Sequence, residues 1–343
     1  MVMMMYGHTV SALLDKSYQT GRWFEVWTFQ RGMTSGLFLF LSGFAFSIAT
    51  MRHWPVQTRF SPAVWKRARR FLLFIVLGYV MHLPVRRFVD LASASDERWR
   101  AFLAVDVLQL VGVTLIVLQL LVLATQSRRV FIAVTFVLSV LLVGVTPVAW
   151  AFDFSPHVRP SIAAYLSPSS GSLFPLIPWA GYALAGAAAG GLYARWGAAH
   201  LTRFANLALV APGVLLVVAG PWADSLLASI LMRFGACLIL LGLIAHASRR
   251  LTHLPHVFGA VAQESLVVYV IHLAIIYGSA WNTGLYRWFA GSLSPLATLL
   301  VVVALVATMT LLAWHWNRLK HQRPRVARWI SLTTGAALIG WLI

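Results

Sequence analysis

MTSGLFLFLSGFAFSIATMRHWPVQTRFSPAVWKRARR, residues 33–70, joins an uncharged apolar run to a loop crowded with cations. The run, residues 33–51, has the length a helix needs to cross the hydrocarbon core of a bilayer. The loop after it carries Arg52, Arg59, Lys66, Arg67, Arg69 and Arg70 and no acid. Cytoplasmic loops of membrane proteins show this excess of Lys and Arg. The stretch therefore reads as a transmembrane helix that ends in the cytoplasm.

The rest of the chain has the same character. Its 343 residues are 60% hydrophobic and 10% charged, whereas soluble domains are about 25% charged. Apolar runs of spanning or near-spanning length occur at 2–14, 33–51, 67–84, 103–124, 130–150, 173–194, 205–222, 226–247, 257–279, 294–316 and 328–343. They predict an all-α polytopic membrane protein of about 11 transmembrane helices in one bundle, a single domain over residues 1–343. The period-two alternation of a membrane barrel is absent from the sequence. The first run, in MVMMMYGHTVSALLD (1–15), is too short to span and lacks the charged start and cleavage site of a signal peptide. It reads as a truncated first helix, with residues expected upstream.

The net charge of +18 lies in short loops, which points to orientation in a membrane and away from nucleic acid. With loop 52–66 in the cytoplasm, most of the 27 lysines and arginines fall in cytoplasmic loops. Asp15, Glu25, Asp90, Asp96, Glu97, Asp153 and Asp224 all fall on the opposite side. An integral, multi-pass protein of a bacterial plasma membrane is the expectation. A single cysteine, Cys237, excludes an internal disulfide and argues against a thiolate metal site, so no metal is expected.

Ionisable side chains inside a membrane cost about 2.5–3.5 kcal/mol at a helix centre for Arg, Lys or Asp, and so mark functional candidates. His8, His82, Asp106, Arg233, Glu264, His272 and His315 qualify. At 1.5 Å per residue, His8 lies roughly 9 Å below the outer surface, and His272 and Arg233 roughly 10 Å below it. Asp106 is shallower on the same side. If these four converge, the carboxylate would orient an imidazole and the arginine would offset developing negative charge. Structural roles stay open for each: helix–helix hydrogen bonds for the histidines, a buried ion pair for Asp106 and Arg233, and bonds from Arg249 or Arg250 to Glu264.

FPLIPWAGYALAGAAAGGLYARW, residues 174–196, is rich in small residues, with Gly186 and Gly190 in a GxxxG pattern that favours close helix approach. Its other reading is a slot for a slender ligand, with Pro175, Pro178 and Trp179 at the outer mouth. Lys66, Arg67, Arg69 and Arg70 suit anionic lipid headgroups, or a phosphorylated cofactor arriving from the cytoplasm. No P-loop, dinucleotide fingerprint, HExxH or GxSxG motif is present in the sequence.

Five stretches, in order, resemble the heparan-α-glucosaminide N-acetyltransferase catalytic-domain family, within a wider superfamily of transmembrane acyltransferases. They are MVMMMYGHTVSALLD (1–15), FEVWTFQRGMTSGLFLFLSGFAFSIA (24–49), RAFLAVDVLQLVGVTLIVLQLL (100–121), FPLIPWAGYALAGAAAG (174–190) and SLVVYVIHLAII (265–276). His8 is similar to a first-helix histidine of related acyltransferases, and His272 to a late-helix one. Gln109 and Gly112 match a Leu-Gln-x-x-Gly element. An Arg-Gly pair upstream of the first histidine is missing here. The eukaryotic namesake's catalytic histidine lies in the loop after the first helix, and residues 16–30 hold none, so His8 stands in for it.

The resemblance implies transfer of an acetyl or other acyl group from cytoplasmic acetyl-CoA to an extracytoplasmic sugar amine or hydroxyl. His8 would be general base or transient acyl carrier, Asp106 would orient an imidazole, and Arg233 would steady the oxyanion. His272 completes the catalytic set, while Arg69, Arg70, Gln109 and Trp179 would hold the donor. Expected partners are a saccharide acceptor and anionic lipid, and a homodimer is compatible with the reading. The rival class is a transporter or permease that uses the buried His, Asp and Arg for proton or substrate coupling.

Overall fold

In a computed structural model, which describes residues 1–251, 253 and 255–343, no strand occurs among the described residues and helices dominate. We label the long helices α1 (Val2–Leu13), α2 (Gly21–Arg52), α3 (Pro62–Met81), α4 (Val107–Thr125), α5 (Arg128–Gly144) and α6 (Leu176–Leu192). They continue as α7 (Leu201–Trp222), α8 (Ser225–Ser248), α9 (His256–Gln263), α10 (Ser265–Tyr277), α11 (Pro295–Gln322) and α12 (Pro324–Leu342).

Every apolar run in the sequence lies on one of these helices or on a broken pair. Among the described residues, five helices (α2, α4, α7, α8 and α11) are long and apolar enough to cross a membrane. The tally is six if α9 and α10, bent by 73° at Glu264, count as one span. This falls below the eleven expected for a physical reason. Helices α1, α5 and α6 run only 12, 17 and 17 residues, and cations near the starts of α3 and α12 lower their hydropathy. The chain is an integral membrane protein on these apolar helices.

Packing sorts the chain into two compact units. One comprises Gly32–Val80 and Arg100–Leu251. Here α2 and α6 touch backbone to backbone: a methyl on Gly43 would enter the Ala183 carbonyl, and one on Gly186 the Phe40 carbonyl. The small residues of α6 therefore serve close helix approach, and α2 fills the space a slender ligand would have needed. Gly213 of α7 and Gly235 of α8 face each other in the same way. Polar helix ends are closed locally. Asp106 starts α4 in a capping box, accepting from the Val107 N–H, while Gln109 reaches back to the Asp106 N–H. Asp224 caps α8 through the Leu226 and Leu227 amides. Asp153 accepts from the Ser155 N–H, which holds its carboxyl below the usual carboxylate range.

The other unit comprises Met1–Arg31, Met81–Trp99 and Thr252–Ile343. Met5, Ala12 and Leu13 of α1 pack with Val268 and Ile276 of α10 and with Leu305, Met309 and Ala313 of α11. At the break between α9 and α10, Glu264 is 3% exposed. It accepts from Asn317 Nδ2 at 3.0 Å and Lys320 Nζ at 2.9 Å, both on α11. The expected bonds from Arg249 or Arg250 to Glu264 are replaced by these, because α11 brings a nearer cation, and Arg249 bonds Thr202 at 2.7 Å instead.

Gly186→Leu should unfold the protein at a markedly lower temperature, because ordinary core overpacking already costs about 1–3 kcal/mol and here the clash is with backbone. Gly335→Ala, with open space around it, should melt like the wild type in the same detergent. Lys320→Met should lower the melting temperature too, since removing a charged hydrogen-bond donor from a buried carboxylate costs on the order of 1–3 kcal/mol.

Candidate active site

The site lies wholly within the second-described unit, where α1 meets α10. Helix α1 is short, yet its last carbonyls do not dangle. Gly291 N–H donates to Ala12 O at 3.1 Å, and Ser292 and Leu293 N–H both donate to Leu13 O at 3.1 and 2.9 Å. Asp15 N–H returns a bond to Leu293 O at 2.9 Å. Gly291 makes the turn at φ +58°, a conformation that suits glycine. Beyond α1, Ser17 bonds Asp15 by hydroxyl and backbone amide and holds that carboxyl below its ordinary range.

Helix α10 ends at Gly278, with φ +89°. Asn282 Nδ2 donates to Ala274 O at 2.7 Å and Leu285 N–H to Ile275 O at 2.9 Å, so the following loop folds back onto the helix end. These two closures bring three side chains together. The His8 and His272 ring centroids are 5.5 Å apart, and those of His8 and Tyr277 5.7 Å apart and perpendicular. His8 Nδ1 lies 3.4 Å from Tyr277 Oη, which also donates to His8 O at 3.5 Å.

His272 is fully buried. Its Nδ1 is 2.8 Å from Val268 O, one turn back on its own helix. A carbonyl only accepts, so Nδ1 carries a proton, and in the neutral ring Nε2 is the lone pair. Nε2 is buried and bonds nothing in the protein. The orienting role expected of Asp106 is thus filled, for this imidazole, by a backbone carbonyl.

Tyr277 also faces outward. With Arg86, Asp90, Ser93, Arg98 and Ser279 it lines a cavity of 570 Å³, whose remaining wall comes from Met81, Leu83, Pro84, Val85, Gly278 and Ala280. The cavity joins exposed, mixed charges to a tyrosine that touches half-buried His8, itself beside buried His272, an arrangement able to receive a polar molecule and accept a proton from it.

Of the eight expected site residues, the structure brings together His8 and His272. The others belong to the first-described unit. Arg233 lies against Gly32, its guanidinium 2.9 Å from where a Cβ would stand. Asp106 caps α4. Gln109 is fully buried against Gly78, with its Oε1 in the capping box and its Nε2 bonding nothing in the protein. Trp179 stacks on Tyr182, with centroids 5.6 Å apart. Arg69 and Arg70 are exposed, with Arg69 over the Trp65 ring at 5.4 Å. Tyr277 was not foreseen. Its signal was its place five residues after His272, at the end of the same apolar run. Among the described residues no group of His, Cys, Asp and Glu could hold a metal ion.

Residues 1–223 match the family model described as heparan-alpha-glucosaminide N-acetyltransferase, catalytic. The match takes in His8, Asp106, Gln109 and Trp179 and ends before Arg233, His272 and Tyr277. No curated protein and no solved structure matches the chain.

The hydrogen bond to Val268 makes a spectroscopic prediction. Nitrogen-15 NMR of histidine-labelled protein should show, for His272 as for His321, whose Nδ1 lies 2.8 Å from Asn317 O, a ring protonated at Nδ1, and one such signal should vanish in His272→Ala. A His272 protonated at Nε2 would overturn the assignment.

Proposed function

The chain belongs to the heparan-α-glucosaminide N-acetyltransferase catalytic family, and from that premise we propose that it is a membrane-bound acyltransferase acting on a saccharide outside a bacterial plasma membrane. Family membership implies acyltransferase activity. The finer reading is that acetyl-CoA supplies the acetyl group from the cytoplasm and that a sugar amine or hydroxyl accepts it. The observation that carries it is the histidine pair joined by Tyr277 to an outward cavity.

In this reading the acceptor enters the 570 Å³ cavity and meets Tyr277. His8 takes the proton from its hydroxyl or amine as the new bond forms to the acetyl carbon and the carbon–sulfur bond breaks. The His8 imidazolium then returns that proton to the departing thiolate. His272, with its bare Nε2 beside His8, steadies the imidazolium while it exists. Arg69 and Arg70 would draw the donor's phosphates to the cytoplasmic face, and Gln109 and Trp179 would line the donor's path. Asp106 acts through the helix it caps.

The test is label transfer from radiolabelled acetyl-CoA to glucosamine-type and hydroxyl acceptors by purified protein. His8→Ala and His272→Ala should each lower the rate on the order of 10²–10⁴-fold, the usual worth of acid–base catalysis. Full transfer by both variants would sink the assignment. A proton-coupled transporter is the second reading, favoured by the 73° break between α9 and α10. Proton flux that needs no acetyl-CoA, with no transfer, would select it.

A further inference from the structure

The cavity beside Tyr277 has charges in its wall that acyl transfer does not itself call for. After α3 ends at Met81, the chain runs through Pro84 and Val85, both buried. These two anchor the segment, so the next residue, Arg86, is set in the cavity wall. A 3-10 turn, Phe88–Ser93, follows. In it the Asp90 N–H donates to Arg87 O at 3.1 Å, and Ser93 Oγ donates to Asp90 O at 2.9 Å. The turn brings Asp90 and Ser93 into the wall, and the chain beyond it adds Arg98.

Two features of this wall describe a ligand. First, its charges do not cancel. Two guanidiniums stand against the single carboxylate of Asp90, and the wall takes in neither Arg87 nor the acids Asp96 and Glu97. Second, the two guanidiniums are unspent. Both arginines are exposed, and among the described residues neither pairs with an acid or donates a hydrogen bond. Each therefore keeps the fork of N–H groups that grips two oxygens of a carboxylate or phosphate. Tyr277, Ser93 and Ser279 add hydroxyls, which match the hydroxyls of a sugar. At 570 Å³ the cavity is within the range of small-molecule sites, about 300–1,000 Å³.

We propose that this cavity takes an acidic saccharide, whose carboxylate or phosphate is held by Arg86 and Arg98, and that the group acylated on it is a hydroxyl. The anion site stands on the charges of the wall alone, whereas the choice of hydroxyl rests on the acyl-transfer reading. A sugar amine is in large part a cation at neutral pH, and a wall with an excess of positive charge disfavours it. A hydroxyl is neutral and meets no such repulsion. In the step, the hydroxyl oxygen bonds the acetyl carbon and the carbon–sulfur bond breaks. The hydroxyl proton passes by way of His8 to the departing thiolate, so the products are a sugar ester and a thiol.

The experiment uses the full chain in nanodiscs of phosphatidylcholine. Glucuronate, glucose 6-phosphate, glucose and glucosamine are titrated, and each is then offered as acceptor with radiolabelled acetyl-CoA. The acidic sugars should bind about tenfold more tightly than the other two, with KM lower to match. Their label should be released by mild alkali, as an ester is and an amide is not. Arg86→Met and Arg98→Met should each weaken binding of the acidic sugars about tenfold and raise their KM, with kcat and the response to glucose changed about twofold or less. Arg87→Met removes a cation outside the wall and should change the binding of acidic sugars about twofold or less.

A preference for acidic sugars that is lost in Arg86→Met and Arg98→Met supports the proposal, and a preference for only one of the two identifies the anion. Tight binding of acidic sugars with no transfer to any sugar supports the anion site and sinks the hydroxyl together with the acyl-transfer reading. Transfer to glucosamine at an equal or lower KM overturns the proposal and leaves acyl transfer intact. An acidic preference that survives both variants, or no binding of any sugar, also overturns it.

Discussion

The last carbonyls of a helix have no donor within it, and burying them unpaired costs free energy, so a helix end packed into the protein must be closed by something. Helix α1 stops at Leu13, and the loop through Gly291, Ser292 and Leu293 closes it. Helix α10 stops at Tyr277, and Asn282 and Leu285 close it. The histidine pair depends on both closures. His8 is five residues from the end of α1 and Tyr277 is the last residue of α10, so an end that frayed would carry one partner away from the other. The apolar contacts of Met5, Leu13, Val268 and Ile276 then hold the two helices side by side. Their burial positions the backbone, and the polar closures make that burial tolerable.

Much of this was legible in the sequence. Hydropathy alone located the long helices. Depth along the runs singled out His8 and His272, because the 1.5 Å rise converts position into depth whatever the helix packs against. Depth does not say which faces meet. Arg233 matched the two histidines in depth, and Asp106, shallower on the same side, stood three residues before Gln109, itself a capping-box spacing. Glu264 found its cation 56 residues away on α11, a pairing set by packing. Among the four cations at 66–70, composition favoured none, whereas three buried oxygens from other segments hold Arg67. The outer cavity was hidden for a related reason. Residues 81–99 carry no run of spanning length, so their charges read as solvated loop.

The way His272 is oriented has its own logic. A carboxylate beside an imidazole makes a stronger base, but bringing an ionised acid to that depth costs energy on insertion. The Val268 carbonyl does the orienting at little cost, since it already lies one turn back and has a second lone pair beyond the one its helix uses. The ring tautomer is fixed by geometry, and no ion has to be buried to fix it. The histidine pair borders, through Tyr277, a cavity lined with Arg86, Asp90 and Arg98. Under the acyl-transfer reading, a ring oriented without a buried acid would take up charge only while the reaction supplies the proton, and the polar groups of the cavity would meet that charge from the far side of Tyr277.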